Sequence, residues 1–257
     1  MPQNRMNHLI VVEEVDTEFG LIKILRSKYD GTYSYFQDKC FHGEIDNEGV
    51  STCGYIHVMC SAILQTSARK ILMIGCAAGT LATMLHKEGC ELTVVDINAV
   101  SFDLAKSYFE MPDEIECVVE EGSKYLHETN MKFDAIAIDA FTSEAQVPGQ
   151  FTTNAFFQDA QRVLNPNGIL VMNVIVKNDL DPLADQIAAC TKSAALRTII
   201  FERSGKVHRN AVLACGNIDH IQIDYLDQPT EVWPQLYGIA ARLPRKLASG
   251  EVTVLTS

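Results

Sequence analysis

No run in this chain approaches the ~18 consecutive apolar residues that carry a helix across a bilayer, so no membrane span is expected. The opening residues, Met1-Pro-Gln-Asn-Arg-Met-Asn-His8, lack the apolar core of a secretory signal, and a cytoplasmic protein is expected. Basic charge is scarce too: 21 Lys and Arg against 33 Asp and Glu leave a net charge of −12. Nucleic-acid binding needs a basic footprint, so no nucleic-acid partner is expected. An acidic cleft instead suits a cationic ligand. None of the eight cysteines falls in a Cys-x-x-Cys pair, and the seven histidines lack metal-ligand spacing, so no metal site is expected. Cys76, Cys90, Cys117, Cys190 and Cys215 lie in or beside apolar runs and read as buried, reduced thiols. Repeats, long linkers and low-complexity segments are missing as well.

What is present is enough apolar residue, 47% of 257, for one large domain or one domain with a small appendage. Residues 8–46 are rich in β-branched and aromatic side chains. Turn residues divide them into runs at His8–Val15, Gly20–Ser27 and Thr32–His42, which predicts an antiparallel meander. Tyr55 to Leu64 carries Ile56, Met59, Cys60 and Ile63 at helical spacing. From Lys70 the pattern alternates. Strands are expected at 70–75, 92–96, 115–119, 133–139 and 168–176, and helices near 79–88, 99–110, 122–128, 153–164 and 181–194. Leu196–Phe201 and Ala211–Cys215 are joined by a link too short for a helical crossover, so they should pair antiparallel. The expected fold is α/β: a doubly wound, mostly parallel seven-stranded sheet with a small N-terminal antiparallel β segment. The expected division is a β segment over 1–50, a Rossmann-like catalytic domain over 51–216 and a C-terminal extension over 217–257 that packs on it, with one helix at Glu231–Leu243.

Three strand-like runs each deliver a special residue at their carboxyl end, where open α/β sheets bind ligands. Ile71-Leu-Met-Ile breaks into Gly75-Cys76-Ala77-Ala78-Gly79-Thr80, Leu92-Thr-Val-Val ends on Asp96, and Ala135-Ile-Ala-Ile ends on Asp139. An acid 21 residues beyond Gly75 also fits a dinucleotide fingerprint, but Ala77 and Thr80 stand where that motif needs glycine beside a pyrophosphate. A Gly-x-Ala-x-Gly turn still admits a phosphate-free thio-nucleoside. The reading is a site for an S-adenosyl sulfonium compound, with NAD or a purely structural turn as the alternatives. Asp96 is the expected ribose acceptor, or else a helix cap. Glu121 is the expected partner of the adenine amino group, or else a surface charge. Asp139 is the expected catalytic carboxylate, or else a loop cap. Ile97, Gly122, Ser123 and Ala140 fill out the expected donor site, while Tyr55, His57 and Phe141 are the acceptor-side candidates. Asp134 is expected to be exposed and without a chemical role.

The segments Phe133-Asp-Ala-Ile-Ala-Ile-Asp139-Ala-Phe141 through Pro148, Phe156-Phe157, Leu164-Asn-Pro-Asn-Gly-Ile-Leu-Val-Met-Asn173 and Asn210-Ala-Val-Leu-Ala-Cys215 resemble the spermidine-synthase (polyamine aminopropyltransferase) family, as do His42-Gly43 and Tyr55. The resemblance, over roughly residues 8–216, implies a class I methyltransferase fold, S-adenosylmethionine or its decarboxylated form as co-substrate, and a small-molecule amine acceptor. It implies a homodimer or tetramer, gives Asp96, Glu121 and Asp139 the ribose, adenine and acceptor-amine roles, and makes 140–151 a closing loop with Gly149 as its hinge. Two features depart from that family. Ala78 replaces the turn acid that faces the aminopropyl amine, and Ala140-Phe141-Thr142 supplies no second acid after Asp139. The expected reaction is therefore methyl or related alkyl transfer to an amine from intact S-adenosylmethionine. Aminopropyl transfer and a non-catalytic nucleoside-binding protein are the alternatives.

Overall fold

The computed structural model describes residues 8–142, 144–219, 221–222 and 232–246. Its first four strands, β1 (Leu9–Thr17), β2 (Gly20–Ser27), β3 (Tyr33–Gln37) and β4 (Cys40–Ile45), form an antiparallel meander. The run expected as one strand over 32–42 is two strands, because Asp38 turns the chain at φ 50°. Asp tolerates that left-handed backbone, and here its carboxylate also accepts from the Leu21 N–H at 3.0 Å.

Helix α1 (Gly54–Leu64) leads into the alternating region: β5 (Lys70–Ile74), α2 (Thr80–Lys87), β6 (Glu91–Asp96), α3 (Ala99–Tyr108), β7 (Glu116–Val119), α4 (Gly122–Glu128), β8 (Phe133–Ile138), α5 (Asn154–Val163), β9 (Leu164–Val176) and α6 (Leu183–Thr191). The chain then runs through β10 (Thr198–Arg203), β11 (Arg209–Gly216), a single helical turn α7 (Trp233–Leu236) and β12 (Ile239–Arg242). The main sheet has the order β12-β10-β11-β9-β8-β5-β6-β7. Pairing is parallel from β9 to β7, and β11 is antiparallel to both β9 and β10.

Among the described residues the sheet therefore has eight strands, one more than expected. The extra strand comes from the segment expected as a helix over 231–243, of which Glu231 lies outside the described residues. Gly238, at φ 81°, ends α7 after one turn, and the chain leaves extended to pair with β10. Strand β9 also starts earlier than expected. Leu164 pairs with Phe133, residues 165–168 bulge out, and Ile169 resumes opposite Ala135.

Alternation along β5 shows how the layers are built. Ile71 and Met73 face one core with Met59 and Ile63 of α1 and Leu81 and Leu85 of α2. Leu72 and Ile74 face the other, with Leu126 of α4, Phe156 and Phe157 of α5 and Ile187 of α6. A third cluster joins the meander to α3 through Ile22, Tyr35, Ile45, Leu104 and Phe109, with Ala78 among them. The meander thus roofs the carboxyl ends of the parallel strands. Among the described residues, no helix is long and apolar enough to cross a membrane.

Candidate active site

Residues Gly75–Gly79 form the turn between β5 and α2, and three of them, Gly75 (φ 93°), Ala77 (φ 45°) and Gly79 (φ 64°), have left-handed backbone. At Gly75 the absence of a side chain is required twice over. A Cβ there would come within 2.4 Å of the Asp139 carbonyl oxygen. The ends of β5 and β8 can approach only because position 75 is glycine. Asp96, at the end of β6, reaches back to this turn: Oδ2 accepts from the Cys76 N–H at 2.7 Å, and Oδ1 from the Asn98 N–H at 2.8 Å. Burial raises its carboxyl above the ordinary range, against hydrogen bonds from Asn98, Cys76 and Ala77. Asn98 in turn caps α3 by accepting from Val100.

Glu121 caps α4, accepting from the Ser123 and Lys124 N–H groups at 3.0 and 2.9 Å and from the Ser123 hydroxyl. Gln150 adds a bond at 3.3 Å. Burial alone would raise this carboxyl, but the hydrogen bonds outweigh it and hold it below its usual value.

Asp139 follows β8 and is held from two sides. Asn173 of β9 donates to Oδ1 at 2.8 Å, and the Tyr55 hydroxyl of α1 donates to Oδ2 at 3.2 Å. Asn173 is itself oriented by Asn210 of β11, which donates to its Oδ1 at 3.0 Å. Burial pushes the Asp139 carboxyl up to about 6, opposed by the bonds from Asn173 and Tyr55. The Tyr55 phenol is raised well above its ordinary value by burial and by Asp139.

These groups meet in a cavity of about 610 Å³. Gly75, Cys76, Ala77, Asp96, Ile97, Glu121, Gly122, Asp139, Ala140 and Phe141, all expected from the sequence, line it. Other expected residues do not. Ala78 is buried behind the turn, where a Cβ on Gly43 would come within 2.5 Å of its methyl carbon, and Gly79 is packed against Met111. Ser123 lies beside the cap rather than in the wall. His57 does not line it either: it is fully buried in α1 with Nε2 2.7 Å from the Ser51 carbonyl, a packing position. Tyr55 is joined to this cavity through its bond to Asp139, and it lines a second cavity of about 340 Å³. Gly149 begins a 3-10 turn over Gly149–Thr152.

The sequence reading missed the roof and the support. Phe19, Gln37, Asp38 and His42 of the meander line the cavity, and the His42 Nε2 is buried with no partner among the described residues. Asn173 and Asn210 had no stated role. For Asn173 the signal was available, since it is an amide inside the apolar run Ile169–Val176, and buried amides need partners. Asp134 is half-buried rather than exposed. It ties three strands at the far end of the sheet, accepting from the Arg69 and Lys70 N–H groups and from Asn165 at 3.1, 2.9 and 2.8 Å.

Residues 56–195 match the family described as methyltransferase small domain. A probable polyamine aminopropyl transferase of Bifidobacterium longum is 28% identical over 150 residues, covering 56% of this chain and 33% of that protein. A polyamine aminopropyltransferase of Chromobacterium violaceum is 29% identical over 136 residues, covering 51% and 52%. The chain thus spans between a third and about half of the length of these relatives. Among solved structures, a probable spermidine synthase from Corynebacterium glutamicum superposes with a TM-score of 0.76 at 18% identity, covering 91% of both chains. The spermidine synthase of Thermotoga maritima gives 0.64 at 15%, covering 88% and 87%. At those identities the superpositions establish the fold: an α/β domain with a mostly parallel sheet and an N-terminal antiparallel sheet.

Proposed function

The chain belongs to the methyltransferase small domain family, and on that premise we propose that it is a transferase that moves an alkyl group from an S-adenosyl sulfonium donor to a small amine held at Asp139. The carrying observation is Asp139 itself: a carboxylate at a strand end, on the wall of the cavity, fixed by two side chains and lifted to about 6 by burial.

The residues suit such a donor. Asp96 Oδ2 accepts from the Cys76 N–H and Oδ1 from the Asn98 N–H, and with the further bond from Ala77 a carboxylate still has acceptor capacity for a ribose hydroxyl. Gly75 and Gly122 put bare backbone on the wall, where a Cβ at 122 would strike Ile74 at 2.3 Å. The cavity volume is that of a small-molecule site. Glu121 and Gln150 stand on the side proposed for the adenine.

The sulfonium supplies a carbon already activated for displacement, so the protein's task is alignment and proton handling. A lysine-like amine with a pKa of ~10.4 is neutral in about one molecule in 2,500 at pH 7, a penalty near 4.6 kcal/mol. Asp139 orients the ammonium and receives its proton as the N–C bond forms. Asn173 and Tyr55 keep the accepting oxygens aimed. The proposed partners are a small amine and further copies of the chain.

We favour intact S-adenosylmethionine, and so methyl or related alkyl transfer. Position 78, where an aminopropyltransferase is expected to carry an acid, is an alanine sealed in an apolar cluster. The unpartnered Nε2 of His42 would gain a partner from the donor's carboxylate. Aminopropyl transfer is the second reading, favoured by a wall that carries Glu18, Asp38, Asp96, Glu121 and Asp139 and, among the described residues, neither Lys nor Arg. The deciding experiment incubates the protein with each donor and an amine panel and identifies the nucleoside released. Adenosylhomocysteine marks methyl transfer and methylthioadenosine marks aminopropyl transfer. A protein that binds neither donor would overturn the proposal.

A further inference from the structure

The second cavity, about 340 Å³, lies on the other side of the Asp139 support and differs from the first in charge. Two of its lining residues belong to that support: Tyr55, whose hydroxyl reaches Asp139, and Asn210, which reaches it through Asn173. Its remaining polar wall comes from Gln235 of α7, which is neutral, and from the β10–β11 hairpin. In a chain of net charge −12, that hairpin places Arg203, Lys206, His208 and Arg209 within seven residues, and three of them face the cavity. Among the described residues, no carboxylate lines it. Arg209 is already engaged by Asp179 and Glu202 at 2.7 and 2.8 Å, although its Nε is buried with no partner among the described residues. Arg203 is exposed, and its partner among the described residues is the neutral Pro234 carbonyl at 3.0 Å.

We propose that this cavity takes the far end of the acceptor, and that the acceptor is an amine carrying an anionic group, a carboxylate or a phosphate, rather than a diamine. The proposal rests on the reading of Asp139 as the carboxylate that orients the amine. With the amine at Asp139 beside the Tyr55 hydroxyl, the rest of the molecule extends past Tyr55, which also lines the second cavity, into that cavity. There a second ammonium would face guanidinium groups, whereas an anion would be drawn to them. In the transfer step the amine lone pair forms the new N–C bond while the C–S bond breaks. Its electron pair goes to sulfur, which becomes a neutral thioether, and the displaced proton passes to Asp139.

The test is calorimetry on the full chain, with and without S-adenosylhomocysteine. The titrants are an ω-amino acid, phosphoethanolamine, and the diamine of the same chain length as the amino acid. We expect at least one of the two anionic amines to bind about tenfold or more tighter than the diamine, and their ranking separates carboxylate from phosphate. Arg203→Glu should abolish that preference and Arg203→Gln should reduce it, with the affinity for S-adenosylhomocysteine unchanged and the melting temperature kept. A diamine that binds as tightly as the anionic amines, an absence of binding by all three, or a preference that survives Arg203→Glu would overturn the proposal. Failure to bind S-adenosylhomocysteine would instead overturn the donor reading, while the ranking of amines on the protein alone still decides this one.

Discussion

Asp139 is under opposed demands, because the burial that suits it to take a proton also makes it costly to the fold. Its carboxyl, at about 6, holds a proton more tightly in the folded chain than in the unfolded one, where the ordinary value is 3.8. Between about pH 4 and 6 the folded state keeps a proton that the unfolded state has lost, so this group makes stability fall as pH rises through that window. Above it the penalty is constant at roughly 2–3 kcal/mol. Asp139→Asn should therefore lose turnover while donor affinity stays within a few fold. It should also gain about 1–3 kcal/mol in stability above pH 6, a gain that vanishes toward pH 4. Urea melts across pH check the second point, and an active Asn variant would remove Asp139 from the mechanism. In the wild-type protein kcat/KM should rise through about pH 6 as the carboxyl ionises. Burial raises the Asp96 carboxyl as well, but its hydrogen bonds tie the glycine turn to β6 and so serve fold and ligand together. Asp96→Ala should weaken donor binding by about 1–3 kcal/mol and lower stability by a similar amount, because the Cys76 and Asn98 N–H groups lose their acceptor. Unchanged calorimetric affinity would leave Asp96 as a clamp on the turn alone.

The strand ends and the turn between β5 and α2 carry the geometry, and this is the level at which the sequence was most readable. Short apolar runs separated by helical spacing disclosed β5 to β9 and their order of use, because a parallel sheet buried on both faces needs continuous apolar strands. Gly75, Asp96 and Asp139 stood out because each interrupts such a run where ligands bind. Long-range partners were not readable: nothing local in Asn173, Asn210 or Tyr55 says that three elements converge on one carboxylate. The roof was hidden for the same reason, and β12 was missed because Trp233–Leu236 and Ile239–Arg242 share a helix-like composition that only Gly238 interrupts. Two substitutions separate the two ends of the sheet. Gly75→Ala forces a Cβ into the Asp139 carbonyl and should cost more than about 2 kcal/mol, with loss of activity in whatever protein remains folded. Asp134→Ala, which frees the Arg69 and Lys70 N–H groups at the opposite end, should cost about 1–3 kcal/mol and leave kcat unchanged. Equal effects of the two on kcat would contradict the placement of the site at the carboxyl ends.

Across the whole molecule, the last described segment is joined to the sheet by charge as well as by strand pairing. Asp185 of α6 is buried and accepts from Arg242 of β12 at 2.7 and 3.1 Å, and from the N–H and Nε of Arg245 at 2.6 and 2.7 Å. Arg242 also meets Glu202 of β10, which pairs with Arg209 of β11 at 2.8 Å, and Arg209 continues to Asp179. One chain of ion pairs thus runs from the second cavity to the edge strand. Burial alone would raise the Asp185 carboxyl, but Arg242 and Arg245 outweigh it and hold it below its usual value. A depressed folded value means that its stabilisation is fully present above about pH 4 and is lost as pH falls through the lower folded value, a sign opposite to that of Asp139. Removing the carboxylate takes a partner from Arg242, which keeps Glu202, and from the partly exposed Arg245, so Asp185→Ala should cost about 1–3 kcal/mol at neutral pH. Because α6 also packs Ala184, Ile187 and Ala188 into the core of the sheet, the loss should be felt by the whole domain. The expected urea curve is one transition with a lowered midpoint and an unchanged slope. Its gap from wild type should narrow below pH 4. Two separate transitions would mean instead that the segment through Arg245 detaches on its own and contributes nothing to the stability of the rest.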